Sequence, residues 1–270
     1  MRFIQHKAEA YWFYRVVSLG YDRFINPLFW TPAMRDQALG LAALDRADLT
    51  VADVGAGTGF TTEGIVATIA PDRVTMIDQS PHQLARAKAK PALAAVRKEI
   101  GDAEAIPLPT DAVDRYVSAG SIEYWPDPQR AIAEAYRVVR PGGVALVVGP
   151  LRRAHPLARR LSDAWMLFPS EAEYEEWMRR AGFADLRRVH VAPPWWRADW
   201  DPYGVAIAGA KPAPGPSPLQ LPPPREHAGE RLGPGRLARF ALGSLAGAAF
   251  IPVALWFTLR DRIAARRRGA

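Results

Sequence analysis

The chain of 270 residues is long enough for one large α/β domain with an appended segment. Hydrophobic residues make up 49% and charged residues 23%, proportions that exclude a wholly disordered chain. The absence of cysteine excludes disulfides, thiolate metal sites and a cysteine nucleophile, and we expect no metal.

The net charge of +7 is unevenly distributed. Residues 212–270 contain nine arginines and three acidic residues, or +6, which leaves +1 for residues 1–211. A neutral domain with a basic tail favours an anionic membrane surface, and not nucleic acid, as the partner. The first residues lack the pattern of a signal or transit peptide, so we expect a chain used in the cytoplasm or already trimmed.

The order of elements predicts an α/β domain between a helical cap and a C-terminal tail. We assign residues 1–47 to the N-terminal cap and 48–211 to the domain. Short β-rich runs alternate with helical stretches (59–70, 82–90, 127–139 and 170–181), the pattern of a mostly parallel sheet. The seven predicted strands are 49–54, 73–78, 96–101, 113–120, 143–150, 186–192 and 204–210. Only eleven residues separate the last two, which predicts an antiparallel pair and a reversed last strand.

The tail begins with a proline-rich linker over 212–236, in which "PAPGPSPLQLPPP" has seven prolines in thirteen positions. Such a composition predicts a stiff spacer in polyproline II conformation. Residues 240–259 contain no charge, and twenty apolar residues span about 30 Å of hydrocarbon. This pattern predicts a transmembrane or membrane-anchoring helix over 237–262, followed by a basic tail over 263–270. A buried or interfacial amphipathic helix is the alternative.

The stretch "VADVGAGTGF" (51–60) is a strand that ends in a glycine-rich loop. Its spacing, Gly55, Gly57 and Gly59, lacks the sixth-position glycine of a dinucleotide fingerprint. Backbone amides of such a loop can bind a carboxylate, and Asp53 is placed to pair with an amine. Asp78 lies 23 residues after Gly55, the spacing of a carboxylate that binds ribose hydroxyls, and Asp102 follows the third strand, where it can accept from adenine.

These motifs, with "VTMIDQSPHQLARAK", "GDAEAIPLPTDAVD" and "AYRVVRPGG" in order, resemble the class I S-adenosylmethionine-dependent methyltransferases. The resemblance implies a seven-stranded Rossmann-like sheet with S-adenosyl-L-methionine as the cofactor. The predicted cofactor-binding residues are Asp53, Gly55, Gly57, Thr58, Gly59, Asp78, Gln79, Asp102, Ala103 and Ser118.

Longer strings, among them "SAGSIEYWPDPQRAIAEAYRVVRPGG" and "SDAWMLFPSEAEYEEWMRRAGF", resemble the family of 2-methyl-6-phytylbenzoquinol/2-methyl-6-solanylbenzoquinol methyltransferases. This resemblance implies ring C-methylation of a prenylated benzoquinol in tocopherol or plastoquinone synthesis. With the predicted C-terminal helix as the membrane anchor, we expect the catalytic domain on the cytoplasmic or stromal side of the membrane. Methylation of another membrane lipid, such as a sterol, phospholipid or other quinone, and a silent membrane-tethered cofactor-binding module are the alternatives. The oligomeric state stays open.

An aromatic carbon becomes a good nucleophile when a neighbouring phenol loses its proton, so a base near the ring is expected. In the methyltransferase superfamily the loop after the fourth strand borders the transferred methyl, which makes Glu123 a candidate, and His6 is the second. The predicted substrate pocket consists of Tyr14, Tyr21, Tyr124, Trp125, Trp165 and Phe168.

Overall fold

The computed structural model describes residues 26–222, 238, 241–243, 245–246 and 248–268. Most of the predicted N-terminal cap precedes this range. His6, Tyr14 and Tyr21 therefore lie outside the described residues.

The described residues form seven strands and eight α-helices. The strands are β1 (Val51–Val54), β2 (Val74–Asp78), β3 (Arg97–Ile100), β4 (Val113–Ala119), β5 (Val139–Pro150), β6 (Ala184–Val191) and β7 (Gly204–Ala210). The helices are α1 (Asn26–Phe29), α2 (Pro32–Leu39), α3 (Phe60–Ile65), α4 (Pro81–Lys88), α5 (Pro128–Val138), α6 (Pro156–Trp165), α7 (Glu171–Ala181) and α8 (Ile251–Arg268).

The strands form one sheet in the order β3-β2-β1-β4-β5-β7-β6. The first five are parallel, whereas β7 pairs antiparallel with both β5 and β6. The predicted seven-stranded sheet with a reversed last strand is confirmed. Each predicted strand overlaps an observed one. Five of the runs are apolar and mostly buried, as strands covered on both faces should be, whereas the edge strands β3 and β6 are partly exposed.

Two buried clusters cover the two faces of this sheet. Alternate residues of β1 divide between them, with Ala52 and Val54 facing α5 and α7 while Val51 faces α2, α3 and α4. Four of the helices, α2, α4, α5 and α7, begin at side-chain caps that the sequence supplies, and at α7 Ser170 forms a reciprocal capping box with Glu173. This packing places the carboxyl ends of β1, β2 and β4 at one edge of the sheet. The order in which strands are added reverses between β1 and β4, the point at which open α/β sheets usually bind ligands.

The start of the proline-rich segment packs against the domain instead of extending away from it. Lys211 is fully buried, and its Nζ lies 2.5 Å from Asp111 Oδ1 and 2.6 Å from the Gly215 carbonyl oxygen. Ser217 Oγ donates to the Ala181 carbonyl (2.8 Å), and Arg130 donates to that of Pro222 (2.5 Å). Residues 211–222 are thus attached along α5 and α7.

The predicted membrane anchor over 237–262, and the membrane-anchored localisation with it, is wrong. Within the ranges that the structure describes, no helix combines the length and apolarity needed to cross a bilayer. The uncharged stretch is interrupted by a turn at Ala249 and Phe250, and α8 begins only at Ile251 and continues past Arg260. Nine residues of α8 before its first arginine are too few for a span that needs about twenty.

Candidate active site

A cavity of about 680 Å³ lies at the carboxyl edge of the sheet. The glycine loop and the ends of β2 and β3 bound one end. Aromatic side chains from the loop after β4, from α6 and from the β6–β7 connection bound the other. A cavity of this size is typical of a small-molecule site, and its position matches the usual ligand site of an open α/β sheet.

The glycine loop adopts backbone conformations that side chains disfavour. Gly55, Gly57 and Gly59 have φ values of +71°, +56° and +84°. A Cβ on Gly55 would lie 2.4 Å from that of Ser121, so only glycine allows the loop to contact the β4 end this closely. A Cβ on Gly57 would meet nothing within 4 Å, and it would project from a loop that lines the cavity. The main chain at Gly57 is therefore open to a ligand.

Asp78 connects the glycine loop to the end of β2. Its Oδ2 accepts from the Gly57 amide and its Oδ1 from the Ser80 amide, each at 2.8 Å. Burial raises the pKa of this carboxyl, while the two amide hydrogen bonds act in the opposite direction. Asp102, after β3, also lines the cavity and accepts from the Glu104 amide at 2.9 Å. Two carboxylates at adjacent strand ends fit a ligand that carries ribose and adenine.

Asp53 lies one layer behind the cavity wall. It is 1% exposed, and its Oδ2 accepts from Thr62 Oγ at 2.6 Å. Its Oδ1 is buried without a hydrogen-bond partner among the described residues, and burial raises the pKa of this carboxyl to about 7. Asp53 thus contacts α3 directly and could influence a ligand only through the glycine loop.

Glu123 projects from the short 3₁₀ helix Ile122–Tyr124 that follows β4 and lines the cavity. Its backbone carbonyl accepts from the Leu167 amide at 3.1 Å, which joins this turn to the segment after α6. The Oε2 atom is buried and has no hydrogen-bond partner within the described part of the chain. Burial raises the pKa of Glu123 to about 7. A carboxyl with one unpartnered oxygen and a near-neutral pKa, on a residue that lines a cavity, has the properties of a general base.

Trp165, at the end of α6, also has an unsatisfied polar atom, as does Gln83 of α4 in the same cavity wall. The Nε1 of Trp165 is buried and finds no acceptor in the described ranges. The indole ring lies against Phe168, with ring centroids 6.2 Å apart. Tyr124 and Trp125, which follow Glu123, complete this side of the cavity.

Arg153, just after β5, holds the β6–β7 connection over the cavity. The side chain is 7% exposed and donates to the carbonyl oxygens of Pro202 and Tyr203. Its guanidinium lies 4.8 Å from the centre of the Trp196 ring and 5.2 Å from that of Tyr203. Burial lowers the pKa of Arg153, and the nearest carboxylate, that of Asp201, is 3.9 Å away. Cation–π and carbonyl contacts thus attach an aromatic roof to the sheet.

The structure brings most of the predicted site residues together around this cavity. Those that line it are Gly55, Gly57, Thr58, Asp78, Gln79, Asp102, Ala103, Glu123, Tyr124, Trp125, Trp165 and Phe168. Gly59 and Ser118, like Asp53, lie behind the wall, where Ser118 Oγ is 2.7 Å from Ser121 Oγ.

The sequence analysis missed part of the wall, listed here by position: Phe29, Trp30, Arg153, Trp195, Trp196, Trp200, Tyr203 and Phe250. The run "PPWWRADWDPYG" carries a signal in its density of tryptophan. That density alone does not show which cavity the rings cover.

The family profile described as a methyltransferase domain matches residues 52–147. The chain is 52% identical to the chloroplastic 2-methyl-6-phytyl-1,4-hydroquinone methyltransferase of Arabidopsis thaliana, over 97% of this chain and 79% of that one. The spinach enzyme of the same name is 51% identical over 97% of this chain and 77% of its own.

The fold is similar to that of geranyl diphosphate C-methyltransferase from Streptomyces coelicolor A3(2), solved with Mg²⁺, geranyl diphosphate and S-adenosyl-L-homocysteine. The two structures match with a TM-score of 0.58 and share 17% sequence identity, and the match covers 66% of this chain and 78% of that one. Identity near 50% over nearly the whole chain settles the relationship. This chain belongs to the 2-methyl-6-phytyl-1,4-hydroquinone methyltransferase family, within the S-adenosylmethionine-dependent methyltransferases.

Proposed function

We propose that this protein transfers a methyl group from S-adenosylmethionine to a ring carbon of a prenylated hydroquinone of the 2-methyl-6-phytyl type. The observation that carries this proposal is the buried, unpartnered Oε2 of Glu123, which lies where the cofactor end of the cavity meets its aromatic end. The identity to the plant enzymes supports the same substrate class.

When bound, S-adenosylmethionine supplies an electrophilic methyl group on a sulfonium that leaves readily. Gly57 and Thr58 would hold its amino-acid end through the open main chain of the loop. Asp78 and Gln79 would bind the ribose, and Asp102 the adenine. The chain's contribution to the transfer is to orient the ring within about 3–3.5 Å of the methyl carbon.

Glu123 increases the nucleophilicity of the ring. A phenolic hydroxyl titrates near pH 10, so an ordinary carboxylate with a pKa near 4.3 is a weak base for it. Burial raises the pKa of Glu123 to about 7, which shortens that gap by roughly half. As the ring hydroxyl shifts its proton towards Oε2, electron density moves onto the ring carbon. Methyl transfer to that carbon leaves a dienone that still carries the ring hydrogen. Loss of this hydrogen as a proton to solvent restores the aromatic ring, and Glu123 returns its proton to the ring oxygen, so one proton is released per turnover.

Trp165 would fix the other side of the ring. A hydroquinone carries two oxygens, and two residues of the wall beyond the cofactor end have an unpartnered polar atom, the acceptor Glu123 Oε2 and the donor Trp165 Nε1. A further unpartnered acceptor, Gln83 Oε1, belongs to α4 at the cofactor end. A buried polar atom without a partner costs free energy, and a ligand that satisfies the Glu123 and Trp165 atoms removes that cost. This complementarity favours a dioxygenated ring over a sterol with a single hydroxyl.

The proposal is tested with purified protein, labelled S-adenosylmethionine and a panel of methylated prenylhydroquinones, sterols and phospholipids, with product masses as the readout. We expect label only in prenylhydroquinones, and we expect Glu123→Gln to lower kcat by about 10²–10⁴-fold. The rising limb of kcat/KM with pH should have a pKa of about 7 and should vanish in this variant. Label in another lipid class would replace the substrate assignment. Cofactor binding without labelled product in any lipid class would indicate a silent cofactor-binding module.

A further inference from the structure

The residues that follow the turn at Ala249 form part of the cavity wall. Ala249, Phe250 and Val253 line the cavity together with the aromatic side chains of α6 and of the β6–β7 connection. We call Ala249 to Phe257 the C-terminal wall. It is separated from the glycine loop by nearly two hundred residues of sequence, and it lies at the aromatic end of the cavity.

Two aromatic contacts and one small side chain attach the C-terminal wall to the domain. Phe250 stacks on Trp165, with ring centroids 6.2 Å apart and an interplanar angle of 24°. Phe257 meets Trp200 edge to face at 5.1 Å, and Ala254 between them is fully buried. Positions 250, 254 and 257 follow helical spacing and share one face. The wall therefore packs on the domain through a continuous apolar face.

The opposite face of α8 is not needed for this attachment. Leu255, Trp256 and Leu259 are 51%, 65% and 56% exposed. Arg260, whose guanidinium lies 4.6 Å from the centre of the Phe257 ring, is at the far end of the wall from Ala249. The wall thus presents an apolar surface to the cavity.

The cavity is too small for the whole of a long-chain substrate beside the cofactor. At about 680 Å³ it has the volume of a site for one small molecule, typically about 300–1,000 Å³. Glu123 and Trp165 fix the two ring oxygens, and the cofactor occupies the glycine-loop end. An isoprenoid chain on the ring therefore has to pass out through the aromatic end of the cavity.

We propose that the C-terminal wall binds the isoprenoid chain of the substrate and gives the enzyme its preference for long chains. This inference rests on the proposed function, since it assigns the tail subsite of the same cavity. Phe250 is the central contact, because it lines the cavity and its ring stacks on Trp165, one of the residues that would hold the ring of the substrate.

The test compares two substrates in three variants of the full chain. The substrates are 2-methyl-6-phytyl-hydroquinone and the analogue in which phytyl is replaced by one isoprene unit. We expect Phe250→Ala to raise KM for the phytyl substrate about tenfold, the loss that corresponds to roughly 1.4 kcal/mol of contact, and to leave the short analogue within about twofold. Val253 is 45% exposed, so Val253→Trp should narrow the exit from the cavity without removing a packing contact. This variant should likewise raise KM for the phytyl substrate and leave KM for the short analogue nearly unchanged.

Trp256→Ala is the matched control, because it removes a large aromatic side chain from the exposed face of the same helix. This variant should leave KM unchanged for both substrates. The tail assignment would be overturned if KM rose equally for the two substrates, or if neither Phe250→Ala nor Val253→Trp raised KM for the phytyl substrate. If Phe250→Ala fails to fold, the result with Val253→Trp alone tests the tail assignment. If the unmodified protein methylates neither substrate, the proposed function itself is contradicted.

Discussion

Replacing Glu123 by glutamine should stabilise the protein while it removes activity. The two side chains have nearly the same shape, so the substitution changes charge and proton binding more than packing. In the folded protein, burial raises the pKa of Glu123 from an ordinary 4.5 to about 7. The folded state therefore holds a proton that the unfolded state has already released between these two pH values.

The sign and size of the effect follow from this difference in proton binding. Below pH 4.5 both states are protonated, and Glu123 imposes no cost. As pH rises from 4.5 to 7, the unfolded state ionises first, so the stability of the folded state falls until both states are ionised. A difference of about 2.5 pKa units at 1.36 kcal/mol each corresponds to about 3 kcal/mol above pH 7. Glutamine has no such cost.

Urea unfolding of both proteins at pH 5 and pH 8 measures the effect. The free energy of unfolding of Glu123→Gln should exceed that of the unmodified protein by about 3 kcal/mol at pH 8 and by less than about 1 kcal/mol at pH 5. Asp53, whose pKa is also raised to about 7, is present in both proteins and cancels in the comparison. A difference that does not change with pH would refute the reasoning, because it would show that Glu123 titrates alike in the folded and unfolded states.

Three further predictions test other parts of the molecule. Gly57→Ala and Gly142→Ala introduce a side chain at similar positive φ values, +56° and +76°, with no atom within 4 Å. Each substitution should lower the free energy of unfolding, measured with urea, by about 1 kcal/mol. Only Gly57→Ala should abolish the binding of S-adenosylmethionine, measured by calorimetry. Lys211→Met removes two charge-assisted hydrogen bonds of a fully buried ammonium, to Asp111 and to the Gly215 carbonyl, and should cost about 3 kcal/mol, whereas Lys90→Met, which breaks a partly exposed ion pair, should cost less than about 1 kcal/mol. Trp165→Phe removes an unpartnered donor and should raise KM about tenfold at nearly unchanged Tm, and an unchanged KM would exclude its contact with the ring.

The sheet and the cofactor end of the cavity could be predicted from the sequence because local patterns determine both. A buried parallel strand is a continuous apolar run, and β1 is buried at all four positions. The glycine loop follows directly from it, and Asp78 and Asp102 stand at or just after the next two strand ends. Since the carboxyl ends of parallel strands meet at one edge, chain order alone places these residues side by side.

The aromatic end of the cavity could not be predicted in the same way, because its residues come from distant parts of the chain. Arg153 contacts Trp196 and Tyr203 across about fifty residues, and Phe250 reaches Trp165 across 85. No periodicity encodes such pairs. The role of Asp53 was also ambiguous, since an acidic residue on a buried strand can face a ligand or a helix. The alternation of β1 turns it towards Thr62.

The C-terminal segment was misassigned for a related reason. A run of twenty uncharged residues meets the compositional criterion for a span, but composition does not report where a helix breaks. The turn at Ala249 and Phe250 divides the run, and Pro252 lies in the first turn of α8, where proline is tolerated. An apolar helix in the core of a protein has the same composition as one in lipid, and the partner rings of Phe250 and Phe257 are far away in sequence.

The two ends of the cavity should therefore respond differently to substitution. The cofactor end is built from consecutive strand ends, so a change at Gly57 or Asp78 should impair transfer to every substrate equally. The aromatic end is built from side chains that meet only in the folded protein, so changes at Trp165 or Phe250 should alter which substrate is used while cofactor affinity stays constant. Glu123 lies between the ends, and its buried carboxyl links them, since a base at that position is useful only when a methyl donor and an ionisable ring occupy the same cavity.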